Sequence, residues 1–252
     1  MTASIFAAVE MAPRDPILGL TESFNADPRT DKVNLGVGVY LDDGGKVPLL
    51  AAVRLAEKAR LEAMPARGYQ PIDGLASYNQ IVQKLLFGED SILLEQGRVL
   101  NIEALGGTGA LKVGADYLRR LLPEATVYLS DPSWENHRAL FETAGFAVET
   151  YPYYDAATRG VDFAAMKAGL EALPAGSIVV LHACCHNPTG ADLNEGQWRE
   201  VIDVVGARGL LAFIDIAYQG FADGIGEDAL AVKLFAECGL EFLVASSFSK
   251  SF

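Results

Sequence analysis

The sequence predicts an α/β protein built on a mainly parallel sheet covered on both faces. Two observations carry this. From Val99 to the end of the chain, short apolar runs alternate with stretches of helical periodicity, the order expected of strand–helix–strand units. The runs, such as Ile178 to Leu181 and Leu210 to Ile214, are apolar throughout rather than alternating with polar residues. Strands of that kind are buried on both faces, as parallel strands are.

The elements follow in order. Residues 1 to 15 read as an irregular arm. Asp15 and Pro16 look like the N-cap and first residue of a helix carrying Leu18, Leu20 and Phe24. Residues 33 to 40 are extended, and Gly36 and Gly38 allow close backbone approach. Leu49 to Ala63 is helical. Residues 68 to 74 form a turn-rich loop, followed by a helix carrying Leu75, Tyr78, Ile81, Val82, Leu85 and Leu86. Strands are expected at Val99–Ala104, Thr126–Leu129, Phe146–Thr150, Ser177–His182, Leu210–Ile214 and Phe242–Ala245. Between them lie helices to Leu122, over Glu135–Ala144, Phe163–Leu173 and Glu195–Val205, and around Leu230–Cys238. The domain boundary is placed at 45/46: an arm with part of a small domain, then a large domain from 46 to 252.

Composition narrows the function. Hydrophobic residues make up 50% and charged residues 21% of 252 residues, which is globular. Twenty Lys and Arg against 33 Asp and Glu give a net charge of -13. That argues against nucleic acid, whose phosphates need a basic face, so any anion site must be built locally. The start lacks the positive region of a signal peptide, and no apolar run is long enough to span a bilayer. Three cysteines make no disulfide framework. Together these point to the cytoplasm and away from membranes.

The chemistry-bearing residues fall where strands end, which is where open α/β sheets bind ligands. Lys250 follows the last strand, beside Ser246, Ser247, Ser249 and Ser251. Desolvation there would free its amine to attack a carbonyl, and the hydroxyls could hold a phosphate. Gly106-Gly107-Thr108-Gly109 opens a helix, whose free N–H groups and positive end suit an anion. It is neither GxGxxG nor a P-loop. Trp134 offers a face for a planar ring, with His137 three residues on. Asp215 closes a very apolar strand, where a carboxylate is costly unless paired with a cation. A protonated pyridine nitrogen is such a cation, and Tyr218 lies near enough to bond the same ring. Asn187 adds an amide in an Asn-Pro turn. Cys184, Cys185, His182 and His186 could be misread as a zinc site. Extended neighbours point to opposite faces, however, so no metal is expected.

Taken in order, these stretches resemble the class I pyridoxal-phosphate-dependent aminotransferases, in the bacterial aspartate and aromatic amino acid branch. The resemblance rests on Asn34-Leu35-Gly36-Val37-Gly38-Val39-Tyr40, Tyr69 with Ile72-Asp73-Gly74, Gly106-Gly107-Thr108-Gly109-Ala110-Leu111 and Pro132-Ser133-Trp134 with Asn136-His137. It extends through Cys184-Cys185-His186-Asn187-Pro188-Thr189-Gly190, Asp215 with Ala217-Tyr218-Gln219-Gly220-Phe221, and Ser247-Phe248-Ser249-Lys250. It implies the fold type I of pyridoxal phosphate enzymes: a seven-stranded-type, mainly parallel sheet, incomplete here, with the N-terminal part of a small domain. Lys250 would form the Schiff base with pyridoxal phosphate and shuttle a proton. Asp215 would keep the pyridine nitrogen protonated, with His137 behind it and Trp134 stacked on the ring. Tyr218 and Asn187 would bond the phenolic oxygen. Gly107, Thr108 and Ser247 would bind the phosphate, joined by Tyr69 of a neighbouring subunit, so a homodimer is implied. Gly38, Trp134 and Asn187 would meet the substrate.

The function implied is transfer of an amino group between an L-amino acid, aromatic or aspartate, and a 2-oxo acid. Family members continue well beyond the lysine, into arginines that bind phosphate and substrate carboxylates. The chain is therefore expected to be truncated. A β-lyase or decarboxylase on the same fold, or a catalytically impaired cofactor-binding fragment, remains the alternative.

Overall fold

The computed structural model describes residues 4–11, 18–34, 36 and 40–252. The expected helix start at Asp15–Pro16, and Gly38, lie outside the described residues. The chain divides into two compact units, residues 1–64 and 65–252.

The first unit contains α1 (Leu18–Ala26) and α2 (Ala51–Ala63). After α1, Asp27 pairs with Arg29. Lys32 folds back to donate to the carbonyls of Phe24 and Asp27, with its ammonium 4.3 Å from the centre of the Phe24 ring. Cation–π attraction adds to these bonds in tying the segment to the end of α1. Met64 ends α2 in a left-handed conformation, φ 39°.

The second unit opens with α3 (Ala76–Phe87), the short α4 (Ile92–Glu95) and α5 (Gly106–Leu121). Then β1 (Thr126–Asp131), α6 (Glu135–Thr143), β2 (Ala147–Pro152), a small hairpin of β3 (Tyr154–Asp155) and β4 (Gly160–Val161), and α7 (Phe163–Glu171) follow. The chain ends with β5 (Ile178–His182), α8 (Glu195–Arg208), β6 (Leu211–Ile216), α9 (Leu230–Glu237) and β7 (Phe242–Ser246). Helix α8 begins with a capping box, Asn194 and Gln197 each bonding the other's backbone N–H. Gly209 ends it at φ 62°.

Among the described residues the main sheet has five strands in the order β2-β1-β5-β6-β7, and every pairing in it is parallel. Strand alternation sorts the side chains into two cores. Ile178, Val180, Phe213 and Ala245 belong to the core that includes Leu111 and Ala115 of α5 and Leu140 and Phe141 of α6. Val179, Leu181, Ala212 and Ile214 belong to the opposite core, with Met166 of α7, Trp198 and Val201 of α8 and Phe235 of α9. This is the double covering that the apolar runs predicted.

One expected strand is missing. Val99–Ala104 makes no ladder; β7, with a single neighbour, ends the sheet. The segment is held instead by side chains and turns. Gln83 donates to the Val99 carbonyl, Asn101 to Asn79, and the Glu103 N–H to the Asp73 carbonyl. A cavity of about 1150 Å³ separates it from β7, lined among others by Leu100, Ile102, Val113, Tyr117 and Val244. Strand propensity needs a neighbouring edge to bond to, and here the nearest edge lies across a gap.

Helix α5 sits close to the sheet through Gly114. A Cβ there would lie 2.5 Å from Phe213 Cζ, and that ring is only 1% exposed. Gly114→Ala should therefore cost about 1–3 kcal/mol in repacking, partly offset by the roughly 1 kcal/mol gained in helix propensity. Urea unfolding should show a lowered midpoint. An unchanged or raised midpoint would mean the Phe213 ring can move aside freely.

Candidate active site

The parallel register brings three strand ends to one edge. His182 pairs with Asp215, Asp215 with Ala245, and Ile216 with Ser246. On the alternation above, His182 and Asp215 follow Val180 and Phe213, so both lie on the α5–α6 face. Asp215 is 7% exposed. Its Oδ2 lies 2.8 Å from Nε2 of His137, which α6 buries completely. Its Oδ1 is buried without a hydrogen-bond partner among the described residues.

A directed chain of hydrogen bonds backs this carboxylate. The Asn187 N–H donates to His182 Nδ1 at 3.4 Å, leaving Nε2 of that neutral ring to carry the proton. His182 Nε2 then donates to Ser133 Oγ at 3.3 Å, and Ser133 Oγ to His137 Nδ1 at 3.0 Å. That orientation leaves His137 Nε2–H to donate to Asp215. The ring of His137 packs edge-on between Trp134, 5.2 Å away, and His182, 5.0 Å away. Sequence reading identified Asp215, His137 and Trp134 but missed Ser133 and His182 as links. Ser133 lies four residues before His137, a spacing that signals contact near a helix start. No sequence signal pairs His182 with Ser133.

A second cluster supports the loop after β5. His186 Nε2 meets Ser130 Oγ at 2.8 Å, and its Nδ1 meets Thr189 Oγ1 at 2.8 Å. Its ring stacks on Tyr153 at 4.0 Å and on His182 at 4.2 Å. Asp192 accepts the backbone N–H groups of Cys185 and His186. Asn187 is thereby placed within this edge, at a cis peptide before Pro188.

The remaining expected residues fall around the same edge. Helix α5 begins at Gly106 with no side-chain cap, so the N–H groups of its first turn point out of the helix. A Cβ on Gly107 would lie 3.3 Å from the Ser247 side chain, and one on Gly106 would lie 3.1 Å from Ser249 Oγ. This is a cradle that larger residues would fill. Ser247 is buried, and Thr108 is exposed with Asn136 reaching its hydroxyl at 3.5 Å. Lys250 Nζ lies 5.1 Å from the centre of the Tyr218 ring. Burial and the nearby Asp215 charge push the Tyr218 hydroxyl above its usual pKa. Two expectations need correction or placement. Lys250 is exposed rather than desolvated. Tyr69 is fully exposed on its loop, apart from these residues.

The arrangement combines a buried carboxylate with one free oxygen, a helix N-terminus for an anion, an aromatic side chain and a primary amine. On a parallel α/β sheet these define a crevice suited to a ring carrying a cationic nitrogen and a phosphate.

Residues 30–252 match the family described as aminotransferase class I and II. The chain is 66% identical over 249 residues to the aspartate aminotransferase of Pseudomonas aeruginosa, and 54% identical over 250 residues to the aromatic-amino-acid aminotransferase of Escherichia coli. These matches cover 99% and 98% of this chain and 63% of each relative. Among solved structures it resembles the aromatic-amino-acid aminotransferase of Burkholderia pseudomallei covalently bound to pyridoxal phosphate. The TM-score is 0.96 and the identity 65%, covering 99% of this chain and 62% of that one. The chain belongs to the class I and II aminotransferases, and its fold is that of the fold type I pyridoxal phosphate enzymes. It spans about 63% of the length of the curated relatives it matches. Among the described residues no helix is long and apolar enough to cross a membrane.

The buried histidines make stability depend on pH. Burial, with His186 and His137 nearby, holds His182 well below its ordinary value, and burial pushes His186 down to about 4. The unfolded chain, with histidines near 6.5, binds more protons as pH falls below that value. Stability is then full above about pH 6.5 and declines towards pH 4 by at most about 1.4 kcal/mol per pH unit for each histidine. Urea midpoints measured from pH 8 to pH 5 should be flat at first and fall below about 6.5. A flat profile throughout would contradict neutral, buried histidines.

Proposed function

We propose that this chain carries the cofactor-binding part of an amino acid transaminase. It would use pyridoxal phosphate to move an amino group between an L-amino acid, aromatic or aspartate, and a 2-oxo acid. The observation that carries the reading is the free, buried Oδ1 of Asp215 on the carboxylate that His137 braces. A buried carboxylate with one oxygen unpartnered fits a cationic N–H donor, and the pyridine nitrogen of this cofactor is one. When bound, the cofactor supplies the carbonyl that accepts the amino group and a ring that withdraws electrons.

The chain's own residues divide the remaining work. Asp215 holds the proton on the ring nitrogen, and His137, Ser133 and His182 keep its carboxylate oriented. Trp134 stacks on the ring. Gly107, Thr108 and Ser247, with the first turn of α5, hold the phosphate. Tyr218 and Asn187 donate to the ring oxygen. Lys250 Nζ would take the proton from the substrate α-carbon and return it to the cofactor carbon on the far side of the transferred nitrogen. Gly38, Trp134 and Asn187 contact the substrate. We further propose a cytoplasmic homodimer in which Tyr69 reaches the neighbouring subunit's phosphate site, and residues 46–252 as the large domain. Relatives named for aspartate and for aromatic amino acids both match closely, which supports acceptance of both substrate types.

Purified chain mixed with pyridoxal phosphate and reduced with borohydride should retain the cofactor mass on the Lys250 peptide. Lys250→Ala should remove that label; a label that persists elsewhere would sink the assignment. Asp215→Ala in the transaminating protein should lower kcat by at least about a hundredfold, the scale of losing a positioned charge. A change of only a few fold would remove Asp215 from its role. Comparing kcat/KM for tyrosine and aspartate tests the substrate range, and no turnover of tyrosine would end the aromatic part.

A further inference from the structure

The neighbouring thiols of Cys184 and Cys185 take no part in the hydrogen-bond chain behind Asp215, yet they are brought together with care. Extended backbone would set them on opposite faces. The strand ends at His182, however, and Cys185 adopts φ 49°, in the left-handed region that non-glycine residues rarely occupy. The reversal turns its sulfur back to within 4.8 Å of that of Cys184, and the Cys185 thiol donates to the Tyr218 carbonyl at 4.0 Å. The carboxylate of Asp228, from the loop before α9, closes the group. One ligand atom from each of the three lies within 4.8 Å of the other two.

The scaffold holds this geometry without an ion. Asp192 accepts the Cys185 and His186 N–H groups at 2.6 and 2.8 Å. Asp228 accepts the N–H groups of Gly220, Ala222, Asp223 and Gly224. Cys184 and Asp228 are buried, whereas Cys185 is half-buried and leaves one side open. The donors are therefore pre-positioned, and an approach exists.

We infer that Cys184, Cys185 and Asp228 form a binding site for a thiophilic divalent cation of the zinc group. Two sulfurs select a soft or borderline ion over magnesium or calcium, which take oxygen sets. Zinc–sulfur bonds of about 2.3 Å put tetrahedral sulfurs ~3.8 Å apart, within the observed span. The carboxylate supplies the third ligand and water the fourth. Binding exchanges two S–H protons for two metal–sulfur bonds: one divalent cation enters and two protons leave, with no change of oxidation state. The carboxylates of Asp228, in the group, and Asp192, bonded to the Cys185 N–H, favour entry of a cation by their charge. The ion would stiffen the edge of the cofactor crevice. Cys185 Sγ lies 4.0 Å from the Tyr218 carbonyl, and Cys185 stands two residues before Asn187. One cation would join the loop after β5 to the loop after β6.

Cadmium is the probe, added to the purified full chain free of chelators and affinity tags. The thiolate-to-cadmium ultraviolet band should rise to saturation at one equivalent, with release of two protons in a weakly buffered solution. Cys185→Ser, at a half-buried position, should fold as judged by circular dichroism and lose the band. Cys184→Ala should behave alike, whereas Cys238→Ser, at an exposed site remote in sequence, should keep it. No band at one equivalent, a band that survives in Cys185→Ser, or a band lost in Cys238→Ser would overturn the inference.

Discussion

The carboxylate of Asp215 is the constraint around which this unit is arranged. It sits at the end of a strand buried on both faces, where an unpaired charge costs several kcal/mol, by rough general estimates. One oxygen is bonded by His137 and the other has no partner among the described residues. His137 in turn owes its orientation to Ser133, and Ser133 to His182, whose tautomer is set by a backbone N–H. Each link has one donor and one acceptor left to offer, so the order of donation runs one way along the chain. A backbone amide at the far end thus decides which nitrogen of His137 carries the proton that faces Asp215.

The sheet makes this geometry possible. Parallel strands put all their carboxyl ends on one edge, and the registers of β5, β6 and β7 place His182, Asp215 and Ala245 side by side. Helix α5 adds its N-terminus only because glycines let it approach. Gly114 packs on Phe213 midway along, and Gly107 meets Ser247 at the mouth. Small residues along one helix therefore serve both packing and the anion cradle.

Where local propensity failed, the reason was a missing neighbour or a reversed backbone. Val99–Ala104 has the composition of a strand but no adjacent edge, and so it runs as an extended segment tied by Gln83, Asn101 and Asn79. Cys184 and Cys185 would diverge on a strand, yet one left-handed residue makes them converge. Lys250 was expected in a desolvated pocket and is exposed. All three depend on what surrounds a residue rather than on the residue itself.

Much was determined by the sequence alone: the order of strands and helices, the double covering of the sheet, and the residue types at each strand end. Continuous apolar runs, capping residues and glycines dictate these locally, since each acts over a few neighbouring positions. The unfolded string of residues could not say which face Asp215 would join, because both faces of its strand are equally apolar. Nor could it link Ser133 to His182, 49 residues apart, or bring Asp228 to Cys184 and Cys185. Those pairings were decided by register and helix packing. Hydrogen bonds act over about 3 Å, and only the tertiary structure brings such distant residues that close.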